Sequence, residues 1–253
     1  MEMTSYEHGV PSWVDLTTSD LPKALEFYGE LLGWESEEGP AEAGGYRVMH
    51  LRGMTVAGIG PQMSSQAPVA WATYVNVDSA EAAAERVEAS GGQTLMAPID
   101  VMEQGRLAVF ADPQGAVFGV WEPGRHRGAQ LVDEPGAWCW SELLTTDVEA
   151  AEAFYTAVFG WGTETLAGEP PYTTWQVSGR PVGGMMAKPP TMPVEVPPHW
   201  GVYFMVADLD AALAQIRAGG GQVLGEAIDS PAGRFAPATD PRGAAFSPIQ
   251  PPG

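Results

Sequence analysis

The chain of 253 residues contains a single cysteine, Cys139, so no disulfide can close within it and no thiolate cluster can hold a metal. A reducing compartment is expected. Histidine is nearly as scarce: His8, His50, His126 and His199 are the only ones, and no two stand at a metal-ligand spacing. Basic residues are few, with 12 Lys and Arg against 32 Asp and Glu and a formal net charge of −20. The deficit is even, 7 basic against 18 acidic in residues 1–130 and 5 against 14 in residues 131–253, so no acidic tail explains it. A surface of that sign repels phosphate backbones, which argues against nucleic acid and membrane partners and favours a neutral or cationic ligand. The same charge also serves plain solubility. No apolar run approaches the roughly 18 residues of a membrane span, and the opening residues Met1–His8 lack a basic segment followed by an apolar one, so the expected location is cytoplasmic.

What is present is a repeat. Thr18-Ser19-Asp20-Leu21, Phe27-Tyr28 and Gly33-Trp34 return as Thr145-Thr146-Asp147-Val148, Phe154-Tyr155 and Gly160-Trp161, each 127 residues later. Downstream, Tyr46 answers to Tyr172, Trp71 to Trp200, Gly105-Arg106 to Gly233-Arg234, and Asp112-Pro113-Gln114-Gly115-Ala116 to Asp240-Pro241-Arg242-Gly243-Ala244. Self-similarity at half the chain length is domain duplication, because solenoid periods are shorter. The composition, 45% hydrophobic and 17% charged, suits two packed cores. The expected domains are 9–123 and 137–250, joined by a Gly- and Pro-containing linker at 124–136 that reads as a surface crossing.

Within each copy the periodicity predicts strands and helices in a fixed order. Trp13–Thr17 reads as a strand, and Ser19 or Asp20 caps a helix whose apolar face carries Leu21, Leu25, Tyr28 and Leu32 and which Gly33 ends. Strands follow at Tyr46–Leu51 and Thr55–Gly60, and a second unit opens with the strand Trp71–Val77 and the helix Glu81–Ala89. Its closing strands are Gln93–Met96, Arg106–Ala111 and Ala116–Trp121. The second copy repeats this from Trp140–Thr145 to Ala244–Ile249, with one strand expected over Phe235–Ala238.

That order, with Trp-x-Asp-Leu or Trp-x-Glu-Leu, Thr-x-Asp, Phe-Tyr, Gly-Trp and Asp-Pro-x-Gly-Ala-x-Phe, resembles the vicinal oxygen chelate superfamily of glyoxalase I, bleomycin-resistance proteins and extradiol dioxygenases. More narrowly it is similar to tandem glyoxalase-like proteins of actinobacteria, some of them labelled hydroxylases. The resemblance implies an α+β fold of two tandem glyoxalase-like domains, each of two βαβββ modules forming a cupped eight-stranded sheet with the ligand site on its concave face. It also implies metal ligands on the strands that line the cup. Those positions fall on Trp13, Gly58, Ala72 and Gly119 in the first copy and on Trp140, Gly184, Gly201 and Ser247 in the second. None is a good ligand, so neither a metal site nor a cofactor is expected.

Strand alternation places Asp15 on the face of Trp13, and Glu142 on that of Trp140, so each cup should hold a carboxylate beside an indole. Such a carboxylate can act as acid or base or pair with a cation, and it can equally be a structural hydrogen-bond acceptor. His50 and its repeat partner Gln176 are further candidates whose strand face stays open. Trp71, Trp121 and Trp200, with Tyr74 and Tyr203 on the same strands, are expected to wall the cups. The functional expectation is a metal-independent binder or modifier of a hydrophobic, aromatic or cationic metabolite of antibiotic or polyketide type. A metal-dependent glyoxalase, dioxygenase or hydroxylase and a non-catalytic interaction protein are the alternatives. The expected state is a monomer, a dimer mimic within one chain, or a weak homodimer.

Overall fold

The computed structural model describes residues 1–37, 39–65, 67–168 and 170–252. The first half runs β1 (Pro11–Thr18), α1 (Leu21–Leu32), β2 (Glu35–Ser36), β3 (Arg47–Leu51), β4 (Met54–Pro61), β5 (Ala70–Asn76), α2 (Ala80–Ala89), β6 (Gln93–Val101), β7 (Gly105–Ala111) and β8 (Val117–Pro123). Its strands form one sheet in the order β2-β3-β4-β1-β5-β8-β7-β6. Each βαβββ module contributes four neighbouring strands, and the modules meet where β1 runs antiparallel to β5.

The second half repeats the plan with β9 (Trp138–Thr145), α3 (Val148–Phe159), β10 (Gly162–Leu166), β11 (Tyr172–Val177), β12 (Arg180–Ala187), β13 (His199–Met205) and α4 (Leu209–Ala218). It closes with β14 (Gln222–Val223), β15 (Ile228–Ser230), β16 (Gly233–Phe235), β17 (Ala238–Thr239) and β18 (Ala245–Gln250). The main path is β10-β11-β12-β9-β13-β18-β16-β15, with β14 and β17 paired beside it. The last module is thus more broken than its counterpart. The segment expected as one strand over 235–238 is split between β16 and β17, while the run expected over 93–96 extends to Val101. The edge strands β2, β10 and β15 carry no apolar alternation and were not expected from the sequence.

Local chemistry explains the helix limits. Asp20 accepts a hydrogen bond from the Lys23 amide at 3.2 Å, and Asp147 one from Ala150 at 3.0 Å, each satisfying a donor the helix start leaves free. Gly33 and Gly160 end α1 and α3 at φ 74° and 72°, a left-handed turn that costs glycine little.

The helices lie between the two sheets, and the halves grip each other crosswise. Phe27 and Tyr28 of α1 pack on Phe246 of β18, and Trp34 packs on Phe204 of β13 at 5.3 Å. Reciprocally, Phe154 and Tyr155 of α3 pack on Phe118 of β8. Polar contacts obey the same symmetry. Trp71 Nε1 donates to the Tyr28 hydroxyl at 2.9 Å, which donates to Asp240 at 3.4 Å; Trp200 donates to Tyr155 at 2.9 Å, which donates to Asp112 at 3.2 Å. Across the seam between the halves, the Thr73 and Ser141 hydroxyls meet at 2.7 Å. The linker is not a free surface crossing: Ala129, Leu131 and Val132 are buried, and the Ala129 amide donates to the Ser12 carbonyl. Its apolar residues join the core because the halves leave a seam there to fill.

Candidate functional site

Pairing between strands fixes which side chains share the concave face. Asp15 stands opposite Gly58 on β4 and Ala72 on β5, Trp13 opposite Tyr74, and Tyr74 opposite Gly119 on β8. In the second half Glu142 stands opposite Gly184 and Gly201, Trp140 opposite Tyr203, and Tyr203 opposite Ser247. Leu16 and Trp71 pair on the other face, against the helices.

On the concave face four side chains form a connected set, built twice. Trp13 Nε1 donates to the Tyr46 hydroxyl at 3.0 Å, and that hydroxyl donates to Asp15 Oδ2 at 3.2 Å. The Tyr74 hydroxyl is bonded to Asp15 as well. In the second cup Trp140 Nε1 donates to the Tyr172 hydroxyl at 2.8 Å, Tyr203 donates to Glu142 Oε1 at 3.0 Å, and Tyr172 is also bonded to Glu142. Sequence reasoning on strand faces does not reach Tyr46 and Tyr172. The available signal was their repeat match together with glycines across the sheet: the Tyr46 hydroxyl occupies the space a side chain at Gly58 would take, and Tyr172 that at Gly184. Glycine is needed there to let a ring approach the backbone.

Burial pushes the Asp15 carboxyl up to about 7, against the lowering effect of the bonds from Tyr46 and Tyr74. Glu142 is raised by the same cause, opposed by Tyr172 and Tyr203. The tyrosines move up through burial and the nearby carboxylates, so they remain hydrogen-bond donors at neutral pH. In the first cup the result is a carboxyl able to hold or release a proton near neutrality, with tyrosine donors supporting its charged form.

The structure brings Trp13, Asp15 and Tyr74 together in one cup, and Trp140, Glu142 and Tyr203 in the other. Trp121 also lies toward the first cup, its Nε1 donating to the His126 carbonyl at 2.8 Å. Trp71 and Trp200 stand elsewhere. The pleat turns them to the helix side, where they are buried against Tyr28 and Tyr155 in the seam between the halves. His50 pairs with Glu35 and Thr55 toward the outer end of β3, and no hydrogen bond or ring contact among the described residues links it to Asp15. Gln176 donates to Thr174 at 2.7 Å rather than to Glu142.

The cups differ around the indole. The linker residue His126 sets its ring edge-on against Trp13 at 4.3 Å and Trp121 at 5.5 Å, and burial lowers it to about 4. Trp13 is 4% exposed. Trp140 is half-buried and forms one wall of a cavity of about 600 Å³.

The metal positions implied by the resemblance can now be tested against these neighbours. In the first cup they hold an indole, two glycines and a methyl group, and the Tyr46 and Tyr74 rings fill the space beside Gly58 and Gly119. In the second, only Ser247 adds an oxygen. Among the described residues no group of three or more His, Cys, Asp or Glu converges. This donor set does not fit a divalent transition metal.

The pattern of the Glyoxalase/Bleomycin resistance protein/Dioxygenase superfamily matches residues 11–120 and again 139–247. The chain belongs to that superfamily. A Mycobacterium tuberculosis protein carrying a glyoxylase name, CFP32, is 42% identical over 98% of this chain and 97% of its own length. The anthracycline biosynthesis protein DauV of Streptomyces sp. (strain C5) is 37% identical over 98% and 95%. A Mn(II)-bound glyoxalase from Novosphingobium aromaticivorans superposes with a TM-score of 0.67 at 15% identity, covering 96% of this chain and 83% of that one. The 2,3-dioxygenase LapB from Pseudomonas sp. KL28 gives 0.65 at 16%, covering 97% and 93%. At such identities the superfamily structures share the fold alone. No helix here is long and apolar enough to cross a membrane among the described residues.

Proposed function

We propose that this superfamily member binds a hydrophobic or cationic aromatic metabolite of polyketide type without a metal. The observation that carries this reading is the repeated Trp–Tyr–carboxyl–Tyr set, whose indole stands at, and whose tyrosines crowd, the positions where superfamily enzymes would place metal ligands. An indole gives a planar ring a face to pack against. The anthracycline biosynthesis name of a full-length relative at 37% identity supports a polycyclic aromatic ligand class, and the net charge of −20 supports tolerance of cations.

The test is a titration of intrinsic tryptophan fluorescence with a panel of neutral and cationic polycyclic aromatic compounds, on protein dialysed against EDTA. Saturable quenching by at least one member is expected. A panel in which no compound quenches overturns the proposal.

A further inference from the structure

The two cups carry the same four side chains but do not offer them equally. In the first, His126 covers Trp13 and Trp121, so the indole is sealed by the chain itself. In the second, no aromatic ring stacks on Trp140 among the described residues, and its indole opens on the cavity of about 600 Å³. That volume lies within the usual range for small-molecule sites, roughly 300–1,000 Å³.

The cavity is composite. Trp140, Trp138 and Val182 of the second domain form one side, and Met3, Tyr6 and Val10 of the opening segment form the other. Two rim charges cancel, because Arg180 pairs with Glu7 at 2.6 Å. Asp133 is different. It lines the same cavity at φ 56°, and its carboxylate makes no hydrogen bond or ion pair among the described residues. The Met1 amine acts on it from nearby but is bonded to Glu134 and to the Val132 carbonyl. An indole wall with an uncommitted, exposed carboxylate on the lining of the same cavity matches a flat ring bearing a positive charge.

Building on the aromatic-ligand reading above, we propose that the chain has one ligand site, the cavity between residues 1–11 and the second domain, and that it takes a planar aromatic cation stacked on Trp140 with its charge at Asp133. The first cup, stoppered by His126, takes none.

Calorimetric titration of the full chain with 9-aminoacridine, a flat cation, and with acridone, its uncharged relative, tests this. One 9-aminoacridine per chain is expected, bound at least fivefold tighter than acridone. Asp133→Asn is expected to erase that preference and leave acridone within twofold, and asparagine tolerates the left-handed backbone here, so the fold is kept. Two equivalent sites per chain, or an unchanged preference in Asp133→Asn, overturns the assignment. If acridone or other neutral rings bind and 9-aminoacridine does not, the aromatic reading stands and this assignment falls. If no ring binds, both fall.

Discussion

Asp15 keeps its proton in the folded protein to about pH 7, whereas an aspartate in the unfolded chain releases it near pH 3.9, about three units lower. Between those values the native state binds more protons, so the contribution of this group to stability is full below about pH 4 and is lost as pH rises to 7. Asp15→Asn removes the effect. Its melting temperature relative to the parent should climb from pH 4 to pH 8, worth about 4 kcal/mol at the upper end, and a difference that stays flat with pH would contradict the burial argument. In the second cup, Tyr172→Phe deletes a hydrogen bond that lowers the Glu142 carboxyl and strips Trp140 Nε1 of its acceptor. The Glu142 midpoint, followed by carboxyl NMR, should rise, at a stability cost of about 1–2 kcal/mol; an unchanged or lower midpoint would contradict the linkage. The carboxylate beside the indole could be anticipated because two residues of one strand share a face. The tyrosines could not, because Tyr46 sits just outside β3 and reaches Asp15 only where Gly58 leaves room. Trp71 belongs with Leu16 by the parity of β1 and β5, and that parity needs the register, which sequence alone does not supply.

Elements were readable where local chemistry decides them. Asp20, Gly33, Asp147 and Gly160 mark α1 and α3 by capping alone. The turn Asp-Pro-x-Gly-Ala is similarly local, yet it also reaches across the molecule: Asp240 accepts from the Arg242 and Ala244 amides at 2.8 and 2.9 Å and from the Tyr28 hydroxyl of the other half. Asp240→Ala should therefore cost about 2–4 kcal/mol in chemical denaturation, more than loss of a turn residue alone. A cost under about 0.5 kcal/mol would mean that the turn holds without its carboxylate. Strands β2 and β10 are illegible in the sequence for the opposite reason. Gly162-Thr-Glu-Thr-Leu166 is mostly exposed and polar, so pairing with β11 makes it a strand rather than any pattern of its own.

At the scale of the whole molecule the duplication is plain in the sequence, but the crossed packing is not. Nothing in the repeat says that α1 should rest on β18 and α3 on β8, since both copies carry the same aromatic residues. With Tyr28, Trp34, Trp71 and Phe204 in one buried cluster, neither half keeps a complete core alone. Calorimetry should show one cooperative unfolding transition; two resolved transitions would contradict the shared seam. The same arrangement gives the superfamily's cup a new content, because tyrosines from outside the metal positions fill the room that metal-ligand side chains would need. The most direct test of that claim compares the binding of one aromatic ligand to chelator-stripped protein and to protein supplied with Mn(II), Fe(II) or Zn(II). The same dissociation constant is expected in every case, and loss of binding on stripping that is restored by a single metal would contradict metal-independent binding.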